Sequence, residues 1–115
     1  VQQLMATLLE RLRAARESWV TVGGFEFLIR RPTDVEMFRA RSDNPSAFLR
    51  RVVMDWRGVR EIDLVPGGAP EPVPFDVDVL VEWAEDREQI YLDLVRAVEE
   101  QITAHWVAKA DAAKK

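Results

Sequence analysis

Residues 56–76 read WRGVREIDLVPGGAPEPVPFD, and this stretch divides the chain into two halves. It begins where a predicted helix ends at Gly58, because glycine favours the left-handed conformation of a helix C-cap. Its glycines and alternating prolines favour an extended connector with few backbone hydrogen bonds. It closes at Asp76, a preferred N-cap, with Phe75 placed to contact Leu80 in the first turn of the next helix. It holds no nucleophile, phosphate loop or metal-binding spacing, so we expect it to set geometry rather than to perform chemistry.

Upstream of this stretch the clearest helical pattern in the chain covers residues 44–58. Asn44 is the predicted N-cap and Pro45 takes the first helical position. The apolar residues recur at helical spacing on one broad face: Phe48, Leu49, Val52, Val53 and Trp56. Before them, Thr33 and Glu36 form a capping box, which predicts a short helix ending near residues 42–43.

The N-terminal region predicts a helix followed by a β-hairpin. Leu4, Leu8, Leu12 and Ala15 fall on one stripe of an amphipathic helix over residues 1–17. Residues 18–31 hold two β-branched and aromatic runs, which are separated by two glycines that suit a tight turn.

Downstream, residues 76–107 predict two helices. Leu80, Trp83 and Ala84 form the inner face of the first. Asp86 and Gln89 resemble a second capping box, which opens a final helix with apolar residues at four-residue steps. Residues 108–115 have no apolar anchor, and we expect them to fray.

These patterns together predict a single domain over residues 1–115 of the α+β class. It is predominantly α-helical, with one small N-terminal β-hairpin packed on about five helices. Its order is a helix (1–17), the hairpin (18–31), two helices (33–58), a Pro/Gly linker (59–75), C-terminal helices (76–107) and the tail (108–115). There are no cysteines, which excludes disulfides and thiolate metal sites. No apolar run approaches the length of about 20 residues that spans a membrane.

Charge is distributed unevenly between the two halves. Residues 1–60 carry 11 arginines against 7 acidic residues, whereas residues 61–115 carry 5 basic against 13 acidic residues. Two interpretations remain open: the halves attract each other within one fold, or the molecule associates head to tail or with a charged partner.

The chain offers little catalytic chemistry. His105 is the only histidine, and a charge favourable to the dipole of the last helix is a simpler role than catalysis. The acidic residues 76–86 lack the glycine and alternation of an EF-hand loop. A nucleic-acid interface on the arginine-rich half is disfavoured by the pI of about 5.0 and by the absence of lysine there. The sequence therefore predicts no catalytic, cofactor or metal site and no enzyme.

The aromatic residues are the remaining candidates for a binding role. Trp56 and Trp83 lie on predicted core faces. Trp106, near the end of the last helix, is a candidate partner contact together with Tyr91 and Trp19, because aromatic residues are enriched among interface anchors.

The order of these motifs resembles one known family. The Gly-Gly hairpin with Phe25-Glu26-Phe27 and Arg30-Arg31-Pro32-Thr33, the Trp56-Arg57-Gly58-Val59 segment, and Pro72-Val73-Pro74-Phe75-Asp76 before an acidic helix are similar to the tail assembly chaperones of long-tailed bacteriophages and prophages. The resemblance covers residues 20 to 95.

The resemblance implies a function and partners. Such proteins bind the tape-measure protein, and also the tail tube protein, and keep them soluble in the bacterial cytoplasm while the tail forms. They tend to self-associate, and many also exist in a longer form made by ribosomal frameshifting, for which Lys114-Lys115 is a suggestive end. Two other hypotheses stay open: a structural tail completion or connector subunit of the virion, and a small arginine-rich nucleic-acid-binding regulator.

Overall fold

A computed structural model describes residues 2–39 and 44–114, with side chains placed for residues 7–38, 44 and 46–114. In this part of the chain the elements follow the order α1 (Gln2–Ala14), β1 (Glu17–Val22), β2 (Phe25–Arg30), α2 (Asp34–Arg39), α3 (Pro45–Val52), β3 (Val53–Arg57), α4 (Glu61–Leu64), α5 (Val77–Glu85) and α6 (Glu88–Ala113). The α+β, predominantly helical fold class is confirmed. The predicted end of the helix near residues 42–43 lies outside the described residues.

The predicted hairpin is confirmed as β1 and β2, and it forms part of a three-stranded antiparallel sheet of order β1-β2-β3. Gly23 and Gly24 make its turn with φ of 60° and 85°, a region that glycine enters at little cost. On one face of the sheet, Phe27 and Ile29 are fully buried at the centre, and Val20 and Phe25 are partly buried around them. The other face carries Trp19 and is partly exposed.

The prediction of a single helix over residues 44–58 is wrong in its second half. Asn44 and Pro45 begin α3 as predicted, and the Asn44 side chain accepts a hydrogen bond from the Ala47 amide at 2.8 Å. The helix ends at Val52, and residues 53–57 form β3 instead. Gly58 has the expected positive φ of 77°, but it ends a strand rather than a helix.

A β-bulge at Met54 explains why β3 has a helix-like pattern. In the register, Leu28 pairs with Asp55 whereas Ile29 pairs with Val53, so Met54 is an extra residue on β3. The extra residue shifts the alternation by one, and it places two residues three apart, Val53 and Trp56, on the same buried face. This spacing is one that a helix also produces.

The core lies between the inner face of the sheet and the helices α3, α5 and α6. It contains fourteen buried apolar residues among those described: Val22, Phe27, Ile29, Leu49, Val52, Val53, Trp56, Val59, Leu80, Val81, Trp83, Ala84, Leu94 and Val98. Trp56 and Trp83 are core residues, as predicted. Burial of apolar surface in this layer supplies most of the stability of the fold.

The predicted caps are partly confirmed. Thr33 and Glu36 form the reciprocal capping box, with hydrogen bonds of 3.0 and 3.1 Å. The Asp76 carboxylate accepts from the amides of residues 78 and 79 at the start of α5. Asp86 does not open α6; it is the C-cap of α5, and Arg87 precedes α6 without a side-chain cap. Only two residues separate α5 from α6, so the Asp86 amide is used to close the first helix.

The prediction of an extended linker over residues 59–75 is also wrong. This segment contains α4 and folds back on itself, since the Glu61 amide donates to the Glu71 carbonyl at 3.0 Å and the Val73 amide to the Val59 carbonyl at 2.8 Å. The Trp56 indole donates to the Val73 carbonyl at 2.8 Å, and this hydrogen bond links the end of the segment to a core residue. We call residues 59–75 the return loop.

The last helix is longer than predicted. α6 continues to Ala113, so the expected frayed tail from residue 108 is helical in the structure, although the side chains of residues 108–114 are exposed. The helix buries only Leu94 and Val98 fully. The molecule measures 56 × 35 × 23 Å.

Candidate functional site

A groove lies between the return loop and α5. Its volume is about 770 Å³. One wall consists of Leu64, Val65 and Pro66, and the other is the outer side of α5 with Val79 and Trp83. Val65 is 55% exposed and Val79 is 37% exposed, so the groove presents apolar side chains to solvent. We call this surface the α4–α5 groove.

The return-loop wall is held rigidly. The Ile62 amide donates to the Ala69 carbonyl at 2.9 Å, and the Gly68 amide donates to the Val65 carbonyl at 3.0 Å. Gly68 lies so close to Glu61 that a Cβ atom at this position would be 2.8 Å from the Glu61 carbonyl oxygen. A glycine is therefore required for the loop to pack against α4.

The α5 wall carries two parallel rows of side chains. Val79 and Trp83 form an apolar row, because residues four apart lie above one another on a helix. Beside it, Asp78, Glu82 and Asp86 form an acidic row with the same spacing. A helix rises 1.5 Å per residue, so these carboxylates follow one another at intervals of about 6 Å.

Charges around the groove are only partly neutralised. Asp78 pairs with Arg50 at 2.6 Å, while Glu82 and Asp86 have no basic partner among the described residues. Arg87 also lines the groove, with its guanidinium 6.0 Å from the centre of the Trp83 ring. The rim thus carries the carboxylates of Glu82 and Asp86 and one guanidinium above an apolar floor.

Trp83 forms the deepest part of the α5 wall. Its side chain is 9% exposed, and its ring meets Phe25 edge to face at 5.5 Å. Its indole nitrogen is buried and has no acceptor within the described part of the chain. The residue therefore connects the groove to the core of the sheet.

The three predicted contact residues do not meet in one place. Trp106 is 53% exposed on the distal half of α6, and Tyr91 lies about 22 Å earlier along the same helix. Tyr91 lines a smaller pocket of about 370 Å³ with Leu49. Trp19 is on the outer face of the sheet, with the Arg57 guanidinium stacked 3.9 Å from its ring centre. No shared binding surface joins them.

His105 lies in a polar cluster between α6 and α2. Its Nε2 lies 3.3 Å from Asp34, and Lys109 donates to the same carboxylate at 2.7 Å. The hydrogen bond from Lys109 is the main cause that lowers the pKa of Asp34. The predicted role of His105 at the helix C-terminus is wrong, because α6 continues beyond it; the pair fastens α6 to α2.

Two further apolar surfaces are uncovered. On α1, Leu8, Leu9 and Leu12 are 47%, 47% and 60% exposed, and the helix makes its main contact with β1. Near Trp106, Val107 is 55% exposed. The side chain of Leu4, which belongs to the predicted stripe of α1, lies outside the described ones.

The arginine-rich half uses several of its charges in ion pairs. Arg30 makes two hydrogen bonds to the Glu36 carboxylate, at 2.7 and 2.8 Å, and Arg57 contacts Glu26 at 2.7 Å. Arg50 pairs with the acidic half through Asp78. The Arg50–Asp78 pair therefore supports the interpretation that the two halves of the chain attract each other within one fold.

Sequence reasoning missed the groove. In the sequence, Asp78, Glu82 and Asp86 raise the question of a metal site and Asp86 also resembles a helix cap. No group of three or more potential ligands within residues 2–39 and 44–114 is arranged to hold a metal ion. The four-residue spacing of the acidic row was the available signal. Leu64 and Val65 gave none, because their position depends on the fold of the return loop.

No helix in the described residues is both long and apolar enough to cross a membrane. No family model, curated protein or solved structure matched the chain.

Proposed function

We propose that the protein is a tail assembly chaperone of a long-tailed bacteriophage or prophage. In this proposal it binds the tape-measure protein, and also the tail tube protein, in the cytoplasm of the bacterial host. It acts without catalysis and keeps these clients soluble until the tail assembles. The motifs quoted above, which resemble those of this family, supply the identity of the clients.

One observation carries the binding role: the molecule is more open than a compact monomer of its size and leaves apolar side chains uncovered. Its total accessible surface is 8111 Å², whereas a folded monomer of 13.2 kDa exposes about 6,400 Å² in total. On this surface, Val65 of the α4–α5 groove and Leu12 of α1 are 55% and 60% exposed. Clustered apolar side chains on a surface mark a site of protein association.

The physical basis of the activity is mass action. A client helix with an exposed apolar face aggregates unless that face is covered. A chaperone that binds the face lowers the concentration of free client and thereby slows aggregation. No covalent step is needed, and self-association through the leucines of α1 is compatible with the proposal.

Co-expression with the tape-measure protein tests the proposal. We expect the client to be soluble with the wild-type chain and to precipitate with the groove variant Val65→Asp. The matched control is Val35→Asp, because Val35 is also exposed, at 63%, it does not line the groove, and the same charge is introduced. A client that is equally soluble without the chain would contradict the proposal.

Purified virus particles provide a second test. A chaperone leaves the tail after assembly, whereas a completion or connector subunit stays in it. We therefore expect mass spectrometry of particles to find the tube and tape-measure proteins but not this chain. Its presence in stoichiometric amount would favour the structural subunit.

A further inference from the structure

We propose that the α4–α5 groove binds a basic amphipathic helix of the client, with lysine or arginine residues at four-residue steps beside its apolar face. This inference rests on the proposed function for the origin of the helix. Beyond that function, it specifies which kind of client segment binds and which surface of the chain binds it.

The shape of the groove suits a helix. The apolar row of Val79 and Trp83 faces Leu64 and Val65 across a volume of about 770 Å³. An amphipathic helix places its apolar face in such a groove, with anchors at positions i, i+3, i+4 and i+7. Rows with a four-residue step on the two helices interdigitate in the commonest mode of helix packing.

The charge of the groove selects the kind of helix. Asp78 is neutralised by Arg50, but Glu82 and Asp86 have no basic partner in the described part of the chain. Arg87 also lines the groove and pairs with neither of them, so two unpaired carboxylates stand against one guanidinium. Two basic residues four apart on a bound helix match the spacing of about 6 Å between these carboxylates. An acidic helix would meet like charges along the same row, which costs affinity and specificity.

The groove is formed before the helix binds. The return loop is closed by backbone hydrogen bonds of 2.8 to 3.0 Å, and the Asp76 cap fixes the start of α5. Little conformational freedom of the chain is lost on binding, so more of the contact energy appears as affinity.

The α1 helix of a second copy is a poorer fit to this charge pattern. It is apolar and basic, but Arg11 and Arg13 are two residues apart and lie on opposite flanks of the leucine stripe. It therefore offers no pair of basic residues at a four-residue step. A helix from the client that has such a pair matches both Glu82 and Asp86.

Three synthetic peptides test the inference with the full chain. The first is a 14-residue leucine–lysine amphipathic helix, about 21 Å long, with lysines at four-residue steps. The second replaces its lysines with glutamates, and the third is the α1 sequence, residues 2–14. Affinity is measured by calorimetry, and the indole N–H signals of the four tryptophans are followed by NMR after assignment with single Trp→Phe variants. We expect the lysine peptide to bind tightest and to shift the Trp83 signal but not that of Trp106.

Charge reversal on the rim gives the decisive comparison. In the double variant Glu82→Lys and Asp86→Lys, we expect the lysine peptide to lose about tenfold in affinity and the glutamate peptide to gain. The control is Glu99→Lys with Glu100→Lys, which makes the same change of charge on exposed α6 residues outside the groove. We expect this control to stay within about twofold of the wild type.

The outcomes separate the inference from the proposed function. Equal binding of the lysine and glutamate peptides, or a shift at Trp106 instead of Trp83, would overturn the inference. Tighter binding of the α1 peptide than of the lysine peptide would assign the groove to a second copy. If the peptides fail but the chain still keeps the tape-measure protein soluble, the inference falls and the function stands. If the lysine peptide binds as expected but the client gains no solubility, the function falls and the charge selectivity of the groove stands.

Discussion

Glu36 shows how one side chain can join two elements. Its carboxylate accepts from the Thr33 amide at the start of α2 and from the Arg30 guanidinium at the end of β2. Arg30 is the main cause that lowers the pKa of Glu36 to about 2, and the Thr33 hydrogen bonds add to it. The fold is therefore stabilised when this carboxyl group is ionised.

The depressed pKa predicts a pH dependence of stability. The stabilisation is fully present above the unfolded pKa of about 4.5 and is lost as the pH falls towards 2. Between pH 7 and pH 3 we expect urea unfolding to show that Glu36→Gln loses about 1 kcal/mol less than the wild type, a value that allows for solvent screening. The exposed Glu99→Gln variant is the control and is expected to follow the wild type. An identical loss in all three proteins would contradict the prediction.

Gly68 predicts a second effect at the residue scale. A Cβ atom there would meet the Glu61 backbone at 2.8 Å, so Gly68→Ala must displace the return loop from α4. We expect a loss of about 2 kcal/mol in the free energy of unfolding.

Gly24→Ala is the control for the Gly68 variant. Its φ is 85°, but nothing lies within 4 Å of the added methyl group, so only backbone strain of about 1 kcal/mol applies. A smaller cost for Gly68→Ala than for this control would show that the loop moves freely.

The helix caps were the most predictable part of the fold. Thr33 with Glu36, Asn44 and Asp76 act through atoms two or three residues away, so the sequence alone contains both partners. Asp86 shows the limit of such signals, since the same residue type closes a helix when the connection to the next helix is very short.

At the scale of elements, hydrogen bonds between residues far apart in the sequence decide which secondary structure a segment adopts. The pattern of Val53 and Trp56 fits a helix, and only the pairing of β3 with β2 shows that it belongs to a bulged strand. The hydrogen bonds that fold the return loop connect residues up to 17 apart, from Trp56 to Val73. The α4–α5 groove also depends on these long-range hydrogen bonds, because its two walls come from separate elements, the return loop and α5.

The link between β3 and the return loop can be measured with two tryptophan variants. Trp56→Phe removes the indole donor of the Val73 carbonyl, so we expect a loss of about 1 kcal/mol from the hydrogen bond beyond the change in packing. Trp83→Phe removes a donor that has no acceptor among the described residues. We therefore expect a smaller loss for Trp83→Phe in urea unfolding, and equal losses would contradict a stabilising role of the indole link.

At the scale of the whole molecule, elongation is the main property. The Cα radius of gyration is 16.3 Å, whereas a compact domain of 115 residues has about 13 Å. The side chains described for α1 and those of residues 106–113 in α6 are exposed, which is consistent with this extended shape.

The elongation predicts a result in solution. We expect small-angle X-ray scattering from dilute monomer to give a radius near 16 Å, as the structure has it. The double variant Leu9→Asp and Leu12→Asp should leave this value unchanged, because these leucines are exposed. A wild-type value near 13 Å that rises in the variant would mean that α1 folds back on its own chain.

The position of the core along the chain has a consequence for synthesis. The sheet is complete in sequence at residue 57, but its inner face is covered by residues of α5 and α6 up to Val98. During translation at 5–20 residues per second, these 41 residues take about 2 to 8 s to follow. Throughout that interval the inner face of the nascent sheet lacks the cover of α5 and α6, so the growing chain itself passes through a stage in which it is prone to aggregate.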